Sequence, residues 1–224
     1  MSWLLLITIF VFLPETSYAW GPLTHTYLGS QILSFSGLVT MDIFRLIKHY
    51  KEYFIYGNII PDIVIGKKYL PDEKNPHSWK TGFMLLNNAE RPEEKSFAYG
   101  FLTHLAADAI LHNEIREFNS FKHMIFEIKA DRVVDRFYWF QIMSINKRVR
   151  KMSERFFEQI LLNPVSIRTS KKIYRSLIFL SGFNKSDLKN SEMFNSFHLK
   201  SLTAMLDILN NRENSKIITL PPHH

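Results

Sequence analysis

The sequence contains no cysteine, so no disulfide is available, and no lipid-modified cysteine can follow an N-terminal leader. Stability has to come from a core, from metals or from partners. No series of short alternating strands appears, which argues against a β-rich fold. Internal repeats, low-complexity tracts and linkers long enough to separate domains are also missing. What remains is a chain of 224 residues with 46% hydrophobic and 14% aromatic residues, a composition that is globular and fits one domain with a sizeable core.

Residues Met1 to Ala19 differ from the rest. An apolar run from Leu4 to Leu13 is followed by Pro14 and by Ser17-Tyr18-Ala19, whose small residues sit where a signal peptidase reads. The run is too short for a typical span of about 20 residues, although no Lys or Arg precedes it. The layout predicts a signal peptide over residues 1–19, cleaved after Ala19, and a mature domain over 20–224 that is secreted or periplasmic. An uncleaved membrane anchor is the secondary reading. Cleavage removes one charged residue, Glu15, and raises the formal charge of +7 by one unit. The basic balance favours anionic partners, either phospholipid surfaces or nucleic acid, without choosing between them.

Apolar residues recur at helical spacing along the mature chain, which predicts an all-α fold. The expected helices run from Leu23 to Ser36, Thr40 to Tyr56, Lys80 to Asn88, Glu94 to Asn113, Lys122 to Met143, Lys147 to Leu162, Ile167 to Leu180 and Asn195 to Asn210. Between the second and third, Gly57 to His77 carries Pro61, Gly66, Pro71 and Pro76 and reads as a long structured loop. The tail from Leu220 to His224 reads as frayed.

Chemistry concentrates in the histidines. His104, Asp108 and His112 recur every four residues, offset by only about 40° each, so all three share one helix face. Their Cα atoms span roughly 12 Å, too far for one ion, so the spacing suggests two ions with Asp108 able to bridge. His123 and Glu127 repeat the four-residue step on the next predicted helix, and an antiparallel neighbour would close the site. Upstream stand Asp62 after Pro61, His77 after Pro76, and His25 five residues after Trp20. A free α-amine at Trp20, with an ordinary pKa of about 8, is itself a ligand once deprotonated by a metal. Imidazole and carboxylate mixtures of this kind suit zinc and accept other first-row metals.

The ordered series Trp20…His25, Gly57…Pro61-Asp62, His77, His104-x3-Asp108-x3-His112 and His123-x3-Glu127 resembles the zinc-dependent phospholipase C family. Its relatives include the zinc-dependent single-strand nucleases and the N-terminal domain of glycosylphosphatidylinositol-specific phospholipase D. The resemblance covers Trp20 to about Asp131 and implies a multi-helix catalytic domain with up to three zinc ions. By motif position, one ion takes the Trp20 amine and carbonyl, His25 and bridging Asp108. A second takes Asp62, His77, His104 and Asp108, and a third takes His112, His123 and Glu127. The implied reaction is hydrolysis of a phosphodiester by metal-activated water, with Asp62 a proton acceptor as well as a ligand.

Phospholipid is the first substrate reading, with peripheral contact to an anionic membrane. Single-stranded nucleic acid or a phosphomonoester is the alternative, and a non-catalytic zinc-binding protein is the third reading. Asp131 and Asp135 continue the four-residue series, but Lys129, Arg132 and Arg136 beside them predict a solvated or salt-bridged face. His49, His198, His223 and His224 fit no ligand spacing and read as structural or exposed. Tyr53, Phe54, Tyr56, Phe97, Tyr99 and Phe101 read first as core, with an aromatic headgroup pocket as the functional alternative.

Overall fold

A computed structural model describes residues 20–63, 75–117, 126, 129–161 and 192–222. Among them every regular element is helical: α1 (Pro22–Ile32), α2 (Met41–His49), α3 (Lys51–Gly57), the short α4 (Ile60–Ile63), α5 (Trp79–Asn88), α6 (Pro92–Glu114), α7 (Arg136–Ser144), α8 (Lys147–Leu161) and α9 (Glu192–Asn211). The all-α expectation holds.

The organising element is α6. Pro92 stands at its first turn, Glu93 and Glu94 favour its positive end, and the Glu94 carboxylate accepts hydrogen bonds from the Glu90 and Arg91 backbone N–H groups, both at 3.1 Å. From Ser96 to Ala109 its side chains are buried all round, so α6 is a core helix wrapped by its neighbours rather than an amphipathic surface helix. It packs against α9, α3 and α5.

Contact with α3 is closest where two glycines face each other. A Cβ on Gly57 would fall on the Phe97 carbonyl oxygen and lie 2.9 Å from the Phe101 nitrogen; one on Gly100 would fall on the Phe54 carbonyl. Only bare backbone fits at this crossing. Val149, Phe156, Phe157 and Leu161 bring the apolar stripe of α8 onto the same core, and α9 contributes Phe194, Ala204, Met205, Ile208 and Leu209. Phe54, Tyr56, Phe97, Tyr99 and Phe101 are core residues, as expected, and Tyr53 packs half-buried against the core.

Four expectations are corrected. The helix expected from Thr40 to Tyr56 is two, broken at Tyr50, whose carbonyl accepts a hydrogen bond from Ser96 Oγ of α6 at 3.0 Å. The loop from Gly57 to His77 contains the helical turn α4. Where one helix was expected from Lys122 to Met143, Asp135 starts a new one by capping the Phe137 N–H at 2.7 Å. The tail is not frayed through Pro222: Lys216–Thr219 forms a 3₁₀ turn, the Leu220 carbonyl accepts the Trp79 indole N–H at 2.8 Å, and Pro222 is buried. The helix expected from Ile167 to Leu180 and the residues 1–19 lie outside the described residues.

Candidate metal centre

Four elements deliver the site. α6 carries His104 and Asp108, α1 carries His25, α4 carries Asp62, and the turn before α5 carries His77. Asn75 shapes that turn, since its side-chain oxygen accepts the His77 N–H at 2.9 Å and its carbonyl accepts Thr81 Oγ1 at 2.8 Å. His25, His104 and Asp108 are fully buried, and His77 nearly so.

Asp62, His77, His104 and Asp108 each offer a ligand atom within 4.8 Å of the others. His77 Nε2 lies 3.3 Å from Asp62 Oδ1, 3.5 Å from Asp108 Oδ2 and 3.2 Å from His104 Nε2. His104 Nε2 lies 3.0 Å from Asp108 Oδ2 and 3.8 Å from Asp62 Oδ1. A tetrahedron of nitrogen and oxygen ligands about 2.05 Å from an ion has edges of roughly 3.3 Å, and these five separations scatter around that length, close enough for the group to hold one zinc.

The hydrogen bonding agrees. His104 Nδ1 lies 2.9 Å from the Asn58 carbonyl, which can only accept, so the ring proton sits on Nδ1 and Nε2 presents a lone pair to the centre. Asn58 is held in turn by Thr103 Oγ1, which donates to its side-chain oxygen at 3.1 Å, and by its own amide, which donates to the Phe54 carbonyl at 3.1 Å.

Asp108 divides its carboxylate. Oδ2 faces His77 and His104, whereas Oδ1 lies 3.0 Å from His25 Nε2 and 3.4 Å from the Trp20 backbone nitrogen. The His25 ring stacks on His104 with centroids 3.9 Å apart. His25 Nε2 and Asp108 Oδ2 nevertheless lack a partner in hydrogen-bond geometry, although both have oppositely polar atoms within 3.0 Å. Each such buried group costs about 1–3 kcal/mol if nothing else satisfies it, and a divalent cation satisfies several at once.

The electrostatics are those of buried carboxylates facing imidazoles. Burial opposes ionisation of Asp108, but His104 and His25 outweigh it and hold the carboxyl well below the usual range. Burial likewise disfavours protonation of His104, yet Asp108 and Asp62 push its pKa up. At His25, burial and the neighbouring His104 prevail over Asp108 and push the pKa down. The donor set thus fits a zinc ion.

The remaining predicted ligands fare differently. His112 is buried on α6 but does not join the four-residue group, and His123 and Glu127 lie outside the described residues. Trp20 is 1% exposed, with its indole N–H donating to Ser201 Oγ at 3.1 Å and its ring against Phe126 and His198.

Asp131 corrects an expectation. It is buried rather than solvated or salt-bridged, and it accepts hydrogen bonds from the backbone N–H groups of Leu23 and Thr24 and from Thr24 Oγ1, at 3.3, 2.9 and 2.8 Å. Its pKa rises to about 6, driven by burial against the pull of those hydrogen bonds. Asp135 is exposed, as expected. Of the histidines left aside, His49 is exposed and His198 is buried, its pKa pushed down to about 4 by burial. Sequence reasoning missed Asn58, though it sits inside the Gly57 to Asp62 motif.

An all-α protein with this cluster belongs among the metal-dependent proteins. The sequence model of zinc dependent phospholipase C matches residues 24–179, well over half of the chain. The chain belongs to that family. Family and cluster together support a zinc-dependent phosphoesterase. No match to a curated protein or to a solved structure was found.

Proposed function

We propose that the mature chain, beginning at Trp20 after export, hydrolyses a phosphodiester of a phospholipid. The observation that carries this reading is the divided carboxylate of Asp108: one oxygen faces His77 and His104, the other faces His25 and the Trp20 nitrogen. That is the arrangement expected of a bridge between two ions, and it supports the ligand sets inferred from the sequence: Trp20, His25 and Asp108 for one ion, and Asp62, His77, His104 and Asp108 for another. A third set, His112, His123 and Glu127, completes the reading.

Zinc, when bound, supplies an activated water and neutralises charge on the phosphate. The chain's own residues do the rest. Asn58 fixes the tautomer of His104, and His25 and His77 present Nε2 to the two faces of Asp108. Asp62 is the most exposed member, with a side chain 7% accessible against 0 to 2% for the others, so it borders solvent where substrate enters. In this reading its Oδ2, 3.9 Å from His25 Nε2, would take a proton from the attacking water.

Residues 1–19 matter because the Trp20 nitrogen is an amide while they are attached and a basic amine once they are gone. Contact with an anionic membrane is part of the proposal, supported by the exposed Phe137 and Phe140 on α7 and the exposed Arg136, Lys147, Arg148 and Lys151. Among the described residues no helix is long and apolar enough to cross a membrane.

The test is a mass and zinc measurement on exported protein, with a substrate panel of phosphocholine lipid, single-stranded DNA and a phosphomonoester. Lipid turnover that vanishes in the doubly substituted His104→Ala, Asp108→Ala protein is the expected result. Cleavage of DNA without action on lipid would transfer the same machinery to nucleic acid, a reading consistent with the basic charge. Stoichiometric zinc with no hydrolysis of any phosphoester would leave a structural metal site.

A further inference from the structure

The segment from Trp20 to His25 carries two of the ligands in the proposed site, yet its own residues do little to hold it. Gly21, at the N-cap of α1, has no side chain to satisfy the helix's free N–H groups, and no acidic residue stands in the first turn. Those N–H groups are satisfied from 107 and 108 residues away, by Asp131. Its two oxygens share the donors between them. Oδ1 takes the Thr24 N–H and hydroxyl, and Oδ2 takes the Leu23 N–H. The fit leaves no slack, because a Cβ on Gly21 would fall on the Asp131 carboxyl group. The other end of the segment is held by Ser201 of α9, through the Trp20 indole.

We infer that Asp131 is a positioning residue for the amino-terminal ligand pair, setting the Trp20 nitrogen and His25 against Asp108. In the sequence Asp131 follows the proposed ligand Glu127 by four residues, so the anchor of one ligand pair stands close along the chain to a member of another set. A carboxylate is suited to this because it only accepts, and three donors converge on it. An amide in the same place would turn an N–H group toward backbone N–H groups.

This inference rests on the ligand set proposed above, and the experiment separates the two. Zinc per chain is measured after dialysis in the mature wild type, Asp131→Asn and Gly21→Ala, alongside the visible spectrum of the cobalt-substituted proteins and far-UV circular dichroism. The expected result is unchanged helicity with one ion lost or bound at least about tenfold more weakly, in the range typical of residues that support ligands, while the ion of Asp62, His77, His104 and Asp108 stays. The cobalt bands of the Trp20–His25 site should fade alone. Thr24→Val removes one of the three hydrogen bonds and carries the same comparison if Asp131→Asn does not fold. Wild-type affinity for every ion in these variants, or equal loss of all ions, would overturn the positioning role. A wild-type chain that binds no ion through Trp20 and His25 would instead overturn the ligand reading.

Discussion

Replacing Gly100 by alanine sets two effects of opposite sign against each other. In the interior of α6, helix propensity alone predicts that alanine stabilises by about 1 kcal/mol. The crossing with α3 predicts the reverse. The new methyl would fall on the Phe54 carbonyl oxygen and lie 2.9 Å from its carbonyl carbon and 3.2 Å from the Asn58 nitrogen, inside the ~3.5 Å at which carbon contacts become favourable. These are backbone atoms of a packed helix, so no side chain can rotate away and the helices have to separate. Overpacking of this kind costs about 3 kcal/mol, which after the propensity gain leaves a net loss of about 2 kcal/mol and, for a chain of this size, lowers Tm by roughly 4–8 °C.

The same displacement reaches the metal centre. Asn58 follows Gly57 directly, and its carbonyl sits 2.9 Å from His104 Nδ1. Moving α3 outward weakens that bond and frees the His104 ring to turn, so zinc affinity should fall together with stability. Thermal denaturation with and without zinc, followed by zinc titration of the folded variant, measures both. A Gly100→Ala protein as stable as wild type, or more so, would refute the argument that bare backbone sets this crossing. Gly57→Ala, whose methyl meets Phe97 and Phe101 across the same contact, should behave alike.

Three further outcomes are expected. Asp108→Asn should lose tight binding at both sites that share the carboxylate, dropping zinc content by more than one ion; loss of only one would show that Asp108 is not a bridge. Chelation should destabilise the folded protein by about 3 kcal/mol for each ion removed, relative to a buffer holding free zinc at a hundred times its dissociation constant, and an unchanged Tm in denaturation scans would contradict sites that bind only the folded state. His198, buried against Trp20 and Tyr27, has its pKa lowered to about 4. A depressed folded pKa means that its stability contribution is whole above the ordinary pKa of about 6.5 and is lost as pH falls toward 4, by about 3 kcal/mol in all. Urea titrations should therefore show the stability difference between wild type and His198→Leu moving in the variant's favour by that amount as pH falls; a difference independent of pH would show the imidazole is already protonated or solvated.

What the sequence could reveal follows from how local each feature is. The shared face of His104, Asp108 and His112 is a property of one helix, so periodicity shows it. His77 and Asp62 have no such signature: Asp62 follows α3, whose crossing with α6 two glycines 43 residues apart decide, and His77 depends on how the turn before α5 is held by Asn75. Neither glycine announces itself, because the reason for it is an atom on the other helix. The break at Tyr50 is invisible for the same reason, since it answers to Ser96 on α6.

Asp131 shows the limit most clearly. Its neighbours Lys129, Arg132 and Arg136 describe a solvated helix face, and counting charges leads to the wrong side of the helix. The feature that decides its environment is the lack of a capping side chain at Gly21, more than a hundred residues upstream. A helix that starts with Gly-Pro-Leu-Thr and no acid in its first turn leaves its N–H groups wanting an acceptor. Buried helix starts rarely go unsatisfied, so that want is itself a prediction that some distant carboxylate folds back onto it. Asp131 continues the four-residue series of the sequence, four residues beyond Glu127 and eight beyond His123, so the acceptor could have been sought there. The missing cap at the amino terminus and the surplus acid after the last ligand are two halves of one contact.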